Sequence, residues 1–263
     1  GTLTHRQVGK TDEGLAGVLA NTNAMGDEAD RDFFNVWTSG TQRSPLTPRL
    51  NELIKNSEIE PLYHEFSKDG YMWRWYIEEE ELEARMNETH YVLGMDTSEA
   101  VGRDDIGMVL IDIRDMSVVG GANVNETNLS MFANFVSELM VKYKNILINI
   151  ERKSTGIAFI DHLLFILPRH GIDPFTRLYN RLVEKALTDR EASRALFTPL
   201  ASRGISFYDK YKTEFGFVTT ADNRKELFVR VLPEAAKRAG GVVHDRTLSD
   251  QIRSLVVKNE RID

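Results

Sequence analysis

The pattern of apolar and polar positions becomes regular at Tyr91 and is looser before it. Alternation at 91–96, 106–113 and 117–124 predicts three strands, with Arg114-Asp115 turning between the second and third. Over 128–143, Leu129, Phe132, Phe135, Val136, Leu139 and Met140 recur at helical spacing. Residues 145–151 return to a strand. Residues 156–167 form a second amphipathic helix that Pro168 and Gly171 stop. Upstream, 71–77 alternates bulky side chains and predicts a strand. Residues 49–55 predict a short helix after the break at 44–48, and the acidic stretch 78–86 predicts a helix with a solvated face, or a linker. Residues 1–30 show no period, and the aromatic cluster at 32–37 is expected to dock on an apolar surface. Downstream the pattern predicts a helix at 175–195, a strand at 215–219 and a helix at 224–239 in which Pro233 causes a kink or a break. A short strand at 242–244 and a last helix at 247–257 follow.

Strand–strand–strand–helix–strand–helix is the order of an RNase H-like α/β domain. The expected fold is a mixed sheet flanked by helices, spanning 91–263, with an N-terminal appendage at 1–90 and an interruption at about 174–214.

Two of these strands deliver a carboxylate into a polar turn: Asp96 at the end of 91–96, and Glu151 at the end of 145–151. Neighbouring strands that each end in an acid can share one divalent cation. Magnesium and manganese favour such hard oxygen ligands. A pair of ions about 3.5–4 Å apart can activate water and stabilise a leaving oxygen. The expected chemistry is therefore metal-assisted phosphodiester hydrolysis. Glu99 and Asp104 follow Asp96 and are candidates for a second ion or an outer water, whereas Asp105 reads as a turn residue. Ser154 or Thr155 suits the N-cap of the next helix, whose amides also suit a phosphate. Lys153 is a candidate phosphate contact. Arg177, Arg181, Lys185, Arg190, Arg194, Arg203, Lys210 and Lys212 either line a DNA groove or form solvated helix faces. Arg224 and Lys225 are the stronger DNA-binding candidates.

Composition removes alternatives. The 263 residues contain no cysteine, which excludes disulfides, zinc–thiolate sites and thiol nucleophiles. A net charge of -7 argues against a nucleic-acid coat protein, yet a local basic groove can coexist with an acidic average. No apolar run approaches the roughly 20 residues that span a bilayer, and 1–20 carries no signal-peptide pattern. Gly9-Lys10-Thr11 hints at a phosphate-cradling loop, but position 4 holds Thr where that motif needs Gly, so no ATPase activity is expected. The six histidines show no ligand spacing, and no nucleophile-elbow motif is present.

Gly94-Met-Asp-Thr-Ser-Glu-Ala-Val-Gly-Arg-Asp104, Glu151-Arg-Lys-Ser-Thr-Gly156 and Thr219-Thr-Ala-Asp-Asn-Arg-Lys225, in this order, resemble the nuclease domain of the large terminase subunit of tailed bacteriophages. Residues 246–255 are similar to the helix that family places before its last acidic motif. The resemblance implies a Mg²⁺- or Mn²⁺-dependent endonuclease that cuts concatemeric double-stranded DNA during genome packaging. Asp96 matches the first catalytic aspartate and Glu151 the second acid, while Glu99 and Asp104 match acidic positions after the first. It further implies that 1–90 is the end of an ATPase domain with its linker. The implied partners are the portal protein and the small terminase subunit, in the host cytoplasm and away from membranes. The family's third acid lies in a Gly-His-Asp-Asp motif after the final helix. No such motif occurs up to Asp263, so the third ligand is expected beyond it, with Asp245, Asp250 and Asp263 as fallbacks. Two other readings stay open: an RNase H-like nuclease of the resolvase or integrase type, and a non-catalytic module that docks on the portal.

Overall fold

The computed structural model describes Thr11, Gly14 and residues 44–97, 105–125, 128–258 and 261–262. The readings of 1–10 and 32–37, and of Glu99, Asp104 and Asp263, lie outside the described residues. In chain order the elements are α1 (Pro48–Asn56), β1 (Tyr63–Phe66), β2 (Met72–Trp75), α2 (Glu79–Glu88), β3 (Tyr91–Asp96), β4 (Ile106–Asp112), β5 (Val118–Val124), α3 (Leu129–Lys142), β6 (Ile146–Ile150) and α4 (Thr155–Ile166). Four short helices follow: α5 (Pro174–Arg177), α6 (Leu182–Lys185), α7 (Arg190–Phe197) and α8 (Ile205–Tyr211). Then come α9 (Ala221–Glu226), a π-helical turn at Leu227–Val231, α10 (Leu232–Ala239), α11 (Arg246–Ser254) and the small ladder β7 (Val257–Lys258) with β8 (Arg261–Ile262). The chain divides into two compact units, Ile59–Thr220 and Gly1–Glu58 with Ala221–Asp263.

The first unit holds a six-stranded sheet in the order β1-β2-β5-β4-β3-β6. β3 and β6 run parallel and every other neighbouring pair is antiparallel. Three antiparallel strands, a helix and a fourth strand parallel to the first give the mixed sheet of the RNase H-like fold that the element order predicts. Alternation drives it. Tyr91, Leu93 and Met95, Ile106, Met108 and Leu110, and Ile146, Ile148 and Ile150 are all buried. They share one core with Phe132 and Val136 of α3 and Phe159 and Leu163 of α4. Each large apolar side chain fully buried in that core contributes roughly 1.5–3 kcal/mol.

The sheet begins before residue 91. β1 and β2 form a hairpin that joins β5 through Arg74↔Gly121 and Trp75↔Gly120. α2 buries Leu82 and Met86, one helical turn apart, in the same core. The expected division at residue 90 therefore runs through this unit, and the acidic stretch is the expected helix with a solvated acidic face, packed on the core rather than serving as a linker.

The single helix expected over 175–195 is instead three short ones, α5, α6 and α7, within the stretch 174–214. After α5, Leu178 bridges Ile148 and the Tyr179 N–H donates to the Ile148 carbonyl at 2.7 Å. The chain thus runs beside β6 before turning into α6. It returns through Phe215, bridged to Asn180, and Phe217, bridged to Glu151. Asn180 breaks the helix by donating its side-chain amide to the carbonyls of Phe175 and Leu178. Phe175 stacks on Phe215 at 5.2 Å and meets Phe207, Tyr208 and Tyr211. The segment is thus part of the unit's core and closes its sheet edge, and the predicted strand at 215–219 is reduced to isolated bridges.

Asp112 is fully buried at the end of β4. It accepts hydrogen bonds from the Arg114 backbone and guanidinium, and Arg85 lies 3.9 Å away. Burial alone raises its pKa, but the Arg114 hydrogen bonds and charge, with Arg85, outweigh burial and hold it below the ordinary carboxylate value. This stabilisation is full above the unfolded carboxyl pKa of about 4 and is lost as pH falls through the lower folded value. Asp112→Asn should cost about 2 kcal/mol at neutral pH, the scale of charge-assisted hydrogen bonds. Its stability should then decline less than the wild type's below about pH 4. Urea melts of both proteins at several pH values check this.

In the second unit α1 and the segment before α11 are tied together. Ser57 donates its hydroxyl to the Val243 carbonyl, His244 Nδ1 lies 3.0 Å from the Ser57 carbonyl oxygen, and Ser249 donates to Glu58. The π turn ends two residues before Pro233. Pro233 lacks an N–H, so the regular ladder cannot close there, and the irregularity predicted at Pro233 takes this form. Residues 242–244 are not a strand: Gly240–Val242 is a 3-10 turn, and Asp245 caps α11 by accepting from the Leu248 N–H. No helix among the described residues is long and apolar enough to cross a membrane.

Candidate functional site

β3 and β6 register in parallel from Tyr91↔Ile146 to Met95↔Ile150. One residue further on stand Asp96 and Glu151, and the Glu151 N–H donates to the Met95 carbonyl at 3.1 Å, which continues the ladder. Met95 and Ile150 are buried, so strand alternation turns Asp96 and Glu151 to the opposite face. Neighbouring strands are roughly 4.8 Å apart. The two acids therefore occupy adjacent positions on one face of the sheet. Asp96 is exposed and Glu151 half-buried.

The surroundings of the pair are small on one side and aromatic on the other. Gly107 of β4 stands opposite Asp96, and a side chain added there would meet nothing within 4 Å among the described residues. Gly94 stands opposite Asn149. On the outer side Phe217 is bridged to Glu151, and the rings of Phe217 and Tyr179 lie 6.5 Å apart.

Gly156 holds this end of the sheet together. A Cβ on it would lie 2.0 Å from the Glu151 carbonyl oxygen and 3.0 Å from the Thr97 hydroxyl oxygen. The start of α4 is thus pressed against the residue after Asp96 and against Glu151 itself. The chain reaches this contact through a tight turn in which the Gly156 N–H donates to the Lys153 carbonyl at 2.8 Å. Ser154 adopts φ 42° and ψ -111° in that turn, the conformation of the first central residue of a type II′ turn. Ser154 occupies the N-cap position of α4, but its hydroxyl makes no capping bond there, contrary to expectation. Lys153 and Ser154 are both exposed.

Much of the basic charge expected on 177–212 is already engaged. Arg177 donates to the carbonyls of Ile146, Met140 and Tyr143, anchoring the C-terminal end of α3 to the start of β6, and burial lowers its pKa. Arg203 is buried, pairs with Asp173, donates to the Thr198 and Leu196 carbonyls and lies over the Phe175 ring. Lys185 pairs with Glu214 at 2.6 Å, and Lys210 pairs with Glu191. Arg190 and Arg194 are exposed. Arg224 and Lys225 are exposed on α9, in the second unit, where Arg224 lies over the Phe228 ring. Of the fallback acids, Asp245 is buried as a helix cap and Asp250 is exposed beside Arg253 and Arg246.

Among the described residues no three His, Cys, Asp or Glu side chains gather at one point. A further oxygen does lie on the acid-bearing face. Asn149 precedes Glu151 by two residues and so shares its face. Its side-chain carbonyl oxygen is buried and has no hydrogen-bond partner among the described residues. The sequence reading missed it, although Asn-Ile-Glu at the end of an Ile-rich strand is a visible polar alternation.

No family model matches the chain, and no curated protein sequence matches it. Among solved structures, the chain is similar to the large terminase nuclease from thermophilic phage G20c. The TM-score is 0.40 at 14% identity, over 79% of this chain and 81% of that one. The fold rests on the strand order and connections above.

Proposed function

We propose that the face carrying Asp96 and Glu151 holds a divalent cation, Mg²⁺ or Mn²⁺, and that the chain hydrolyses phosphodiester bonds in double-stranded DNA. More specifically, the chain is an endonuclease of the terminase type, cutting concatemeric viral DNA during packaging alongside a portal protein and a small subunit. One observation carries it, the placement of two carboxylates at adjacent positions of parallel strands on one face. The donor set fits such a cation, because it is all oxygen and includes a buried amide oxygen with no hydrogen-bond partner among the described residues.

In this reading Asp96 and Glu151 hold the cation between them. A cation bound there supplies positive charge to the phosphate and makes a nearby water more acidic. Gly107 contributes no side chain between Asp96 and a phosphate on the β4 side. Lys153 and Ser154, exposed just after Glu151, would contact the backbone of the strand being cut. Water adds to phosphorus, one bridging P–O bond breaks, and the products are a phosphate end and a hydroxyl end.

The test is cleavage of plasmid and linear duplex DNA with Mg²⁺ or Mn²⁺ and with excess EDTA. Cutting that needs the cation and prefers no branched substrate is expected. Preference for four-way junctions would favour the resolvase reading. Absence of metal-dependent cutting under all of these conditions would leave the docking module as the better account.

A further inference from the structure

We propose that the amide oxygen of Asn149 is a third oxygen ligand of the cation held by Asp96 and Glu151, a role that rests on the cation site proposed above. Asn149 on β6 and Glu151, the residue just past its end, are separated by one residue along a ladder that Glu151 continues, so their Cα positions are roughly 7 Å apart and their side chains leave the same face. Asp96 is Glu151's neighbour on β3, so the three oxygen-bearing groups form a triangle at one corner of the sheet. Gly94, across from Asn149, contributes no side chain to fill that corner. Cations of this type accept amide carbonyls together with carboxylates.

The environment of Asn149 is otherwise unexplained. Its carbonyl oxygen is buried and receives no hydrogen bond among the described residues. An acceptor shut away from water without a donor costs free energy in the cation-free fold. A cation bound beside Glu151 would meet that lone pair, with the remaining positions open to water and phosphate. The arrangement gives three protein oxygens from residues 96, 149 and 151 alone, all inside the sheet unit.

Two substitutions separate this role from a packing role. Asn149→Leu keeps a similar volume and removes the oxygen. Asn149→Asp keeps an oxygen and adds charge. Mn²⁺ affinity is read by titration calorimetry and by the electron paramagnetic resonance signal of free Mn²⁺, on the whole chain without DNA. The melting temperature in EDTA is measured in parallel. Asn149→Leu is expected to bind Mn²⁺ at least about tenfold more weakly while melting in EDTA no lower than the wild type. Asn149→Asp is expected to bind at least as tightly as the wild type. Wild-type Mn²⁺ affinity in Asn149→Leu would overturn the third-ligand role while leaving the Asp96–Glu151 site intact. A wild-type protein that takes up no Mn²⁺, or whose uptake is unchanged in Asp96→Asn, would overturn the cation site and the Asn149 role together.

Discussion

Asp96→Asn should remove metal-dependent DNA cleavage, by more than the 10–100-fold that changes around a metal ligand typically cost, and leave the protein folded. The substitution keeps the shape of the side chain and takes away the charge that a hard cation needs. Asp96 is exposed at the very end of β3, beyond the buried Met95, so the core is untouched. Its unfolding free energy should change by no more than about 1 kcal/mol, well short of loss of the fold. Glu151→Gln should behave alike in cleavage, but with a larger stability change, because Glu151 is half-buried. The comparison needs three measurements on each protein: plasmid cutting, Mn²⁺ titration and a urea melt. Full cutting by Asp96→Asn at saturating Mn²⁺ would remove Asp96 from the chemistry. Lost cutting together with a lost fold would show that the residue matters only for stability.

The acid pair was legible because its cause is short-range. In 91–96 and 146–150 every second residue is apolar, so a reader of the sequence can count to the strand end and find a carboxylate there. The helices at Leu129–Lys142 and Thr155–Ile166 were legible for the same reason at the 3.6 period. The parallel pairing of β3 with β6 followed from the helix between β5 and β6, which brings the chain back across the sheet.

What was missed depends on contacts far apart in sequence. β1 is four residues long with only alternate partial burial, so nothing local distinguishes it from a loop, and it forms because β2 is there to pair with it. Leu82 and Met86 are two apolar residues among many acids, and the core they enter is built mostly from residues beyond 90. In 175–195 the charges Arg177, Arg181, Lys185, Arg190 and Arg194 suggested one helix. Arg177 instead satisfies three carbonyls of α3, β6 and the turn between them, and Asn180 satisfies two more, so the helix is broken to serve other elements. The candidates Arg177, Arg203, Lys185 and Lys210 looked like a DNA-binding face in sequence, and each is held by a carbonyl or a carboxylate in the fold.

Gly156→Ala is expected to be the most damaging single methyl that can be added near the acid pair. Its Cβ would sit 2.0 Å from a backbone oxygen, that of Glu151, with the Thr97 hydroxyl at 3.0 Å. A flexible side chain can move aside, but the backbone at the end of β6 is fixed by the Glu151 N–H bond to Met95 and by the Phe217 N–H bond to Ile150. The helix and the strand end must therefore separate by more than an ångström. Forced overpacking of this kind costs about 3 kcal/mol, far above the few tenths that the better helix propensity of Ala would return near a helix start. The same movement displaces Glu151 from Asp96, so Mn²⁺ affinity should fall even in the fraction that remains folded. A urea melt and a Mn²⁺ titration on Gly156→Ala, set beside a control at the open position Gly204, where an added Cβ meets nothing, read both effects. If Gly156→Ala matches the control in both, then α4 does not press on the strand end as described, and the positioning of Glu151 has another source.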